Sequence, residues 1–357
     1  LGARERLALA RAQGLDEETL AAEGRVIETR CRERGQELLD EGQQALAAGD
    51  LAQALNRAVR ALEYLPGSAP AEALATSAEQ RLIDRSRREA ARLFRGTEGR
   101  SAALSLLERA EGALRESAAA ELARDRRAWA ALAKRELAGL VYLPQVRDHA
   151  GGGVYLQQTE VTNEAFAAFV QAGGYGDDRF WDSGAQAAAV REQGAPRSWR
   201  EGSYGDQSNA ERPVRGVSVY EARAYARWLS RERGGRWRLP REAEWTLAAS
   251  WDPARERARV YPWGDAFGEW GGASQQPPEV GQDESDRSAL GVQGLGRGVM
   301  EWVELPSGPG TKGACWAAPR HLAERYARVA VSGTPGAQPP AELAGWIGFR
   351  LVREVTE

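Results

Sequence analysis

Four residue types are almost missing from this 357-residue chain: there are two cysteines, two histidines, one methionine and, among 48 basic residues, only Lys134 and Lys312 as lysines. Cys31 and Cys315 lie so far apart that a disulfide framework is excluded, and a single long-range bridge is not expected. No run approaches the roughly 18 apolar residues that cross a bilayer, which excludes a membrane span. A net charge of -3 leaves no overall attraction to nucleic acid or to an anionic membrane surface. A Gly-rich phosphate loop, a Ser nucleophile elbow and a signal peptide are also missing. The chain opens on Leu1 rather than Met and is read as a fragment, with a cytoplasmic location expected. The Arg excess, beside abundant Ala, Gly and Glu, reflects a GC-rich coding sequence rather than chemistry.

What is present divides the chain in two. Residues 1–138 are rich in Ala, Leu, Glu and Arg with apolar residues at three- and four-residue spacing, which predicts antiparallel helices punctuated at Gly35, Gly49, Pro66-Gly67 and Gly96. Ala45 to Pro66 resembles one tetratricopeptide-type repeat. One copy cannot bury the faces that a solenoid needs, so a helical bundle is the first expectation and a tetratricopeptide-like module the second. Residues 139–357 hold eleven of the twelve tryptophans, Trp129 being the exception, together with most of the Gly and Pro. That composition predicts a loop-rich α+β domain with a ring-filled core.

Within the second part, Leu140–Leu143 and Val154–Gln157 read as strands. Thr162 caps a helix whose buried stripe is Phe166, Phe169 and Val170. Ser218 and Glu221 are spaced as a capping box for a second helix, and Glu242 and Glu244 occupy the first turn of a third. Val299–Val303 and Trp346–Val352 read as strands, and the roughly forty residues between them as an irregular loop, which a compact domain usually keeps for a purpose such as binding. The run Asp283-Glu284-Asp286 reads as a solvated loop.

EVTNEAF (160–166), RLPREAEW (238–245), YPWG (261–264), GVMEW (298–302) and GFRLV (348–352), in that order, resemble the formylglycine-generating-enzyme (sulfatase-modifying factor) domain family. The resemblance covers residues 139 to 353. It implies an α+β, C-type-lectin-like fold, here preceded by an all-α helical domain, in which the final strand pairs with an early one. It also implies two oxidative chemistries, one using a copper-binding cysteine pair in the tail to oxidise a substrate cysteine, the other using iron held by three histidines to form sulfoxides or selenoxides. The tail carries Cys315 alone, in Gly313-Ala314-Cys315-Trp316 where the family reads Gly-Gly-Ser-Trp, and His149 and His321 are too few for a three-imidazole site. The family's calcium site loses an Asn in Gly296-Arg297-Gly298-Val299-Met300-Glu301-Trp302, which leaves Glu301 a fold-supporting role. No catalytic residue, metal ligand or cofactor is therefore expected.

The tail also resembles the variable proteins of diversity-generating retroelements, in which an aromatic Gly-Gly-Ser-Trp-like strand precedes diversified positions and a second group falls just before a fixed Gly-Phe-Arg-Leu-Val end. On that resemblance the expected function is non-enzymatic ligand binding. Trp316, Ala317, Ala318, Arg320, His321, Arg325, Tyr326, Ala344, Gly345 and Trp346 would present a binding face to a protein or another macromolecule, and the N-terminal helices would engage a protein partner. Two alternatives stand beside it: a metal-dependent oxidase of the formylglycine-generating or sulfoxide-synthase type, and a helical adaptor with an accessory lectin-like domain.

Overall fold

The computed structural model describes residues 17–94, 99–133, 138–144, 152–200, 209–270, 276–332 and 345–355. Helices span Glu17–Ala47, Leu51–Tyr64, Ala69–Phe94, Gly99–Glu111 and Glu116–Ala133, where the three- and four-residue spacing predicts them. In the second of these, Asp50 accepts from Gln53 N at the amino end, and Leu51, Ala54, Leu55, Ala58 and Ala61 form one buried face.

Packing groups the chain into two compact units, Leu1–Glu89 with Ser105–Ala123, and Ala90–Leu104 with Arg124–Glu357. The change of composition near residue 139 marks where strands begin, whereas the packing division falls inside the helices that precede it. The first unit has a small core of Leu38, Leu39, Leu55 and Leu74 interleaved with alanines. Arg115 ties its helices by reaching Glu79 (2.6 Å) and Glu72 (3.0 Å).

In the second unit the described strands are β1 (Leu140–Leu143), β2 (Val154–Gln157), β3 (Trp237–Arg238), β4 (Trp251–Asp252), β5 (Arg257–Ala258), β6 (Met300–Leu305), β7 (Gly308–Lys312), β8 (Ile347–Gly348) and β9 (Val352–Glu354). One sheet has the order β1-β2-β9-β3, a second pairs β4 with β5, and a third runs β7-β6-β8. The last strand thus lies beside an early one, with Leu156 opposite Val352, the pairing that the family resemblance implies.

Three helices pack behind the sheets. Thr162 Oγ1 accepts from Ala165 N to cap Asn163–Gln171. Ser218 and Glu221 form the reciprocal capping box of Val219–Arg233, and Glu242–Ser250 carries two acidic residues in its first turn. Between them Phe166 stacks on Tyr225 (5.5 Å), and Phe349 meets Tyr225 edge-on (5.5 Å). The two fully buried indoles of Trp302 and Trp245 find acceptors for their N–H groups: Trp302 Nε1 donates to Val217 O (2.8 Å) and Trp245 Nε1 to Glu301 Oε2 (3.0 Å).

Three local readings of the sequence are corrected. The stretch after Val303 is not irregular throughout, because β7 folds back antiparallel on β6 and Arg320–Tyr326 is helical. Gly310 permits that hairpin: a Cβ there would lie 2.3 Å from Leu305 Cδ1. Residues 346–352 are not one strand, since β8 stops at Gly348 and β9 starts at Val352, with Arg350 turned inward between them. Asp286 is not solvated but fully buried, accepting hydrogen bonds from Gly296 N (2.9 Å) and from Arg297 N.

Candidate functional site

The tail face starts where β7 ends. Gly313 adopts a left-handed conformation (φ 80°), and a Cβ there would lie 2.6 Å from Leu295 O, so only glycine lets the backbone pass. Trp316 N then donates to Gly298 O (2.9 Å), Ala318 N to Cys315 O (3.1 Å), and Pro319 leads into the helix Arg320–Tyr326. Of the positions expected to bind ligand, Trp316 and Ala318 are buried; Ala317, Tyr326, Gly345 and Trp346 are half-buried; Arg320, His321 and Arg325 are exposed. Ala344 lies outside the described residues.

Side chains that sequence reasoning did not single out, Arg215, Arg297, Phe267 and Trp270, complete this face together with the expected Arg320. The Arg215 guanidinium lies 5.5 Å over Trp316 and donates from Nη1 to Gly345 O (3.1 Å), so one side chain ties the two ends of the tail together. Arg297 sits over Trp263 (4.8 Å) and Trp270 (5.5 Å) and donates from Nη2 to Glu269 O (2.9 Å), while its Nε is buried without a hydrogen-bond partner. Arg320 lies 5.3 Å over Phe267 and donates to Gly268 O (3.0 Å). Trp270 Nε1 in turn donates to Ala318 O (3.1 Å). A signal for these rings exists in the four- and three-residue steps between Trp263, Phe267 and Trp270. They lie on an irregular segment, however, where spacing does not define a face.

The result is an alternation of guanidinium planes and aromatic rings under a short exposed helix. Stacking holds a guanidinium plane in place, and a planar guanidinium suits carboxylates or other anions. The one thiol here, Cys315, is 1 % exposed, and burial pushes it up to about 11, which disfavours the thiolate at neutral pH.

Behind the face lies a buried charge cluster. Arg350 donates from Nε and Nη2 to the two oxygens of Glu301 (2.7 Å each) and to the carbonyls of Gln158 (3.0 Å) and Gln293 (2.7 Å), with Glu160 3.7 Å away. Burial raises Glu160 above the usual carboxylate range against the pull of Arg350, and it pushes Asp286 up to about 6 against its two backbone donors. The fold-supporting role expected for Glu301 is what the geometry displays: it neutralises Arg350 and holds the Trp245 indole.

Copper or iron, implied by the family resemblance, does not fit the described residues. Among them no three His, Cys, Asp or Glu side chains come together to hold a metal. The interior carboxylates Glu301 and Glu160 already face Arg350, Cys315 is alone with its proton, and His149 lies outside the described residues.

Residues 144–355 match the family described as sulfatase-modifying factor enzyme 1-like domain. The chain is 35% identical over 162 residues to a hercynine oxygenase of Mycobacterium tuberculosis, covering 42% of this chain and 37% of that protein. It is 33% identical over 163 residues to the hercynine oxygenase of Mycolicibacterium smegmatis, 42% of this chain and 36% of that protein. A formylglycine-generating enzyme of Streptomyces coelicolor is 37% identical over 142 residues, 32% of this chain and 42% of that protein. The chain thus spans less than half the length of these curated relatives. The solved structure of PvdO from Pseudomonas aeruginosa aligns with a TM-score of 0.38 at 20% identity, covering 60% of this chain and 91% of that chain.

These similarities overturn three expectations drawn from the sequence. The reading as a non-enzymatic, retroelement-type variable protein is corrected, because the curated relatives carry the names hercynine oxygenase and formylglycine-generating enzyme. The expectation that the chain is not an enzyme falls on the same finding. The expectation of no cofactor falls with it, since it rested on the chain not being an enzyme and these relatives carry the names of an oxygenase and a formylglycine-generating enzyme, for which the family resemblance implies iron or copper. Among the described residues no helix is long and apolar enough to cross a membrane.

Proposed function

The chain belongs to the sulfatase-modifying factor enzyme 1-like domain family, and from that premise we propose that it is an oxygen-using, metal-dependent enzyme acting at a sulfur atom of its substrate. The observation that carries this reading is the similarity of one frame both to hercynine oxygenases and to a formylglycine-generating enzyme. The two branches share dioxygen and sulfur, and differ in the metal.

In this reading the substrate lies on the tail face. The half-buried Trp346 and Ala317 form its apolar floor, backed by the buried Trp316 and Ala318. Arg320, His321, Arg325 and Tyr326 form the rim, and the guanidinium of Arg297, stacked on Trp263 and Trp270, orients a carboxylate of the substrate. No residue of this chain is assigned as a metal ligand, and no chemical step is routed through Cys315. The C-type-lectin-like description of the fold belongs to the same proposal, supported by the placement of β9 between β2 and β3. So does a division into a helical module over residues 1–138 and an oxidase-type domain over residues 139–357.

An oxygen electrode tests the proposal. The protein, supplied with iron(II) or copper(I) and either a cysteine-containing peptide or hercynine with a thiol, is expected to consume oxygen, with an oxidised product seen by mass spectrometry. Arg320→Ala is expected to lower the rate with the metal held constant. Failure to consume oxygen with both metals and both substrates sinks the reading.

A further inference from the structure

A cavity of about 600 Å³ in the second unit shares no residue with the tail face; Phe94, Arg100, Trp129, Tyr142, Arg287 and Leu290 are among its lining residues. That size suits a small organic molecule. Its wall is a run of rings, with Phe94 and Trp129 at 6.2 Å, Trp129 edge-on to Tyr142 at 5.3 Å, and Tyr142 beside Tyr155 at 5.5 Å. The wall is fixed from behind: the Tyr142 hydroxyl donates to the buried Asp125 carboxylate and the Tyr155 hydroxyl to Ala128 O (3.0 Å). These polar ends are therefore already engaged, and the faces and edges of the rings are what the wall offers a ligand.

Arg100 breaks the apolar pattern. Its guanidinium lies 5.4 Å over Phe94, and its Nε is buried without a hydrogen-bond partner. It is the second residue of the helix Gly99–Glu111, whose first turn contains no acidic residue. A cation at the positive end of a helix is opposed by the macrodipole, and a buried donor without an acceptor is costly. An anion on the guanidinium offsets the first. The second guanidinium in the lining, Arg287, is held by Glu284 (2.7 Å), so Arg100 is the cation with an unmet demand.

We propose that this cavity binds a small aromatic anion, with its ring system against Phe94, Trp129 and Tyr142 and its carboxylate or sulfonate on Arg100. The three rings and Arg100 all lie outside the family-matched residues 144–355, so the site is separate from the proposed oxidase face. A neutral ligand would fill the space and leave the charge of Arg100 at the helix start uncompensated, which sets the class.

The test uses the full chain with anilinonaphthalenesulfonate as the probe and N-phenylnaphthylamine as its uncharged counterpart, read by probe fluorescence and tryptophan quenching. One saturable sulfonate site is expected, at least about tenfold tighter than the neutral probe, with that preference removed by Arg100→Gln and kept by Arg287→Gln. Leu290→Trp, which fills the cavity, is expected to abolish binding of both probes. Equal affinity of the unaltered chain for the two probes overturns the proposal without any variant. Retained sulfonate affinity in a folded Arg100→Gln or Leu290→Trp protein overturns it as well.

Discussion

Arg350 and Glu301 form a bidentate ion pair, Nε and Nη2 each 2.7 Å from a different carboxylate oxygen, with both side chains fully buried. The pair joins the segment between β8 and β9 to β6, while the remaining Arg350 donors reach carbonyls of Gln157, Gln158 and Gln293. One guanidinium thereby satisfies three backbone acceptors from two parts of the chain.

Arg350→Met removes the cation and leaves Glu301 and Glu160 facing each other in the interior. A loss of about 3–5 kcal/mol is expected, because breaking one side of a buried pair strands the other charge. Urea unfolding of the variant checks it. The double variant Arg350→Met with Glu301→Gln should recover part of the loss, and a single variant as stable as the parent would contradict the role assigned to the pair.

Asp286 carries the pH dependence. Burial raises it from 3.8 to about 6, so between those values the folded protein binds a proton that the unfolded chain has released. This contribution favours folding below about pH 4, is lost as the pH rises through about 6, and is flat above. Glu160, raised in the same direction by burial, extends the decline upward. Unfolding midpoints measured across this range should show the fall, and Asp286→Asn should flatten its lower part.

Cys315 is expected to resist thiol reagents at neutral pH, since it is buried and protonated, while the half-buried Cys31 reacts. Titration with a chromogenic disulfide should count one thiol in the folded chain and both after unfolding in guanidinium. Cys315→Ala is expected to cost roughly 1 kcal/mol and to leave oxygen uptake unchanged. A loss of activity in a stable variant would return the thiol to the chemistry.

Gly348 lies where β8 meets β6, and a Cβ there would stand 2.4 Å from Val214 O and 2.8 Å from Val299 Cγ2. Gly348→Ala is therefore expected to cost about 1–3 kcal/mol through forced displacement of backbone. Thermal unfolding provides the measurement, and a neutral result would indicate that β8 can shift.

The capping residues were legible because their information is local: Thr162, Ser218 and Glu221 do in the structure what their spacing predicts. The β6–β7 hairpin was not, because a Gly- and Pro-rich strand has no side-chain alternation to read, and its pairing depends on Gly310 yielding space to Leu305. Two arginines of the tail face were missed for a similar reason. Arg215 and Arg297 are ordinary basic residues in sequence and become site residues only when Trp316, Trp263 and Trp270 arrive beneath them. The functional reading failed where it treated missing metal ligands as missing chemistry, and the similarity to named oxygenases corrected it.

Periodicity, caps and five ordered motifs, all short-range properties of the chain, determined the helical first part, the sheet-containing second part and the family. Tertiary structure alone decided which charges go inside. Asp286, Glu301, Arg350 and Lys312 read as polar in any window of sequence, yet each is at most 1 % exposed, because partners distant in the chain meet their hydrogen bonds there. Burial of a charge depends on what surrounds it in space, and neighbours in sequence carry no record of that.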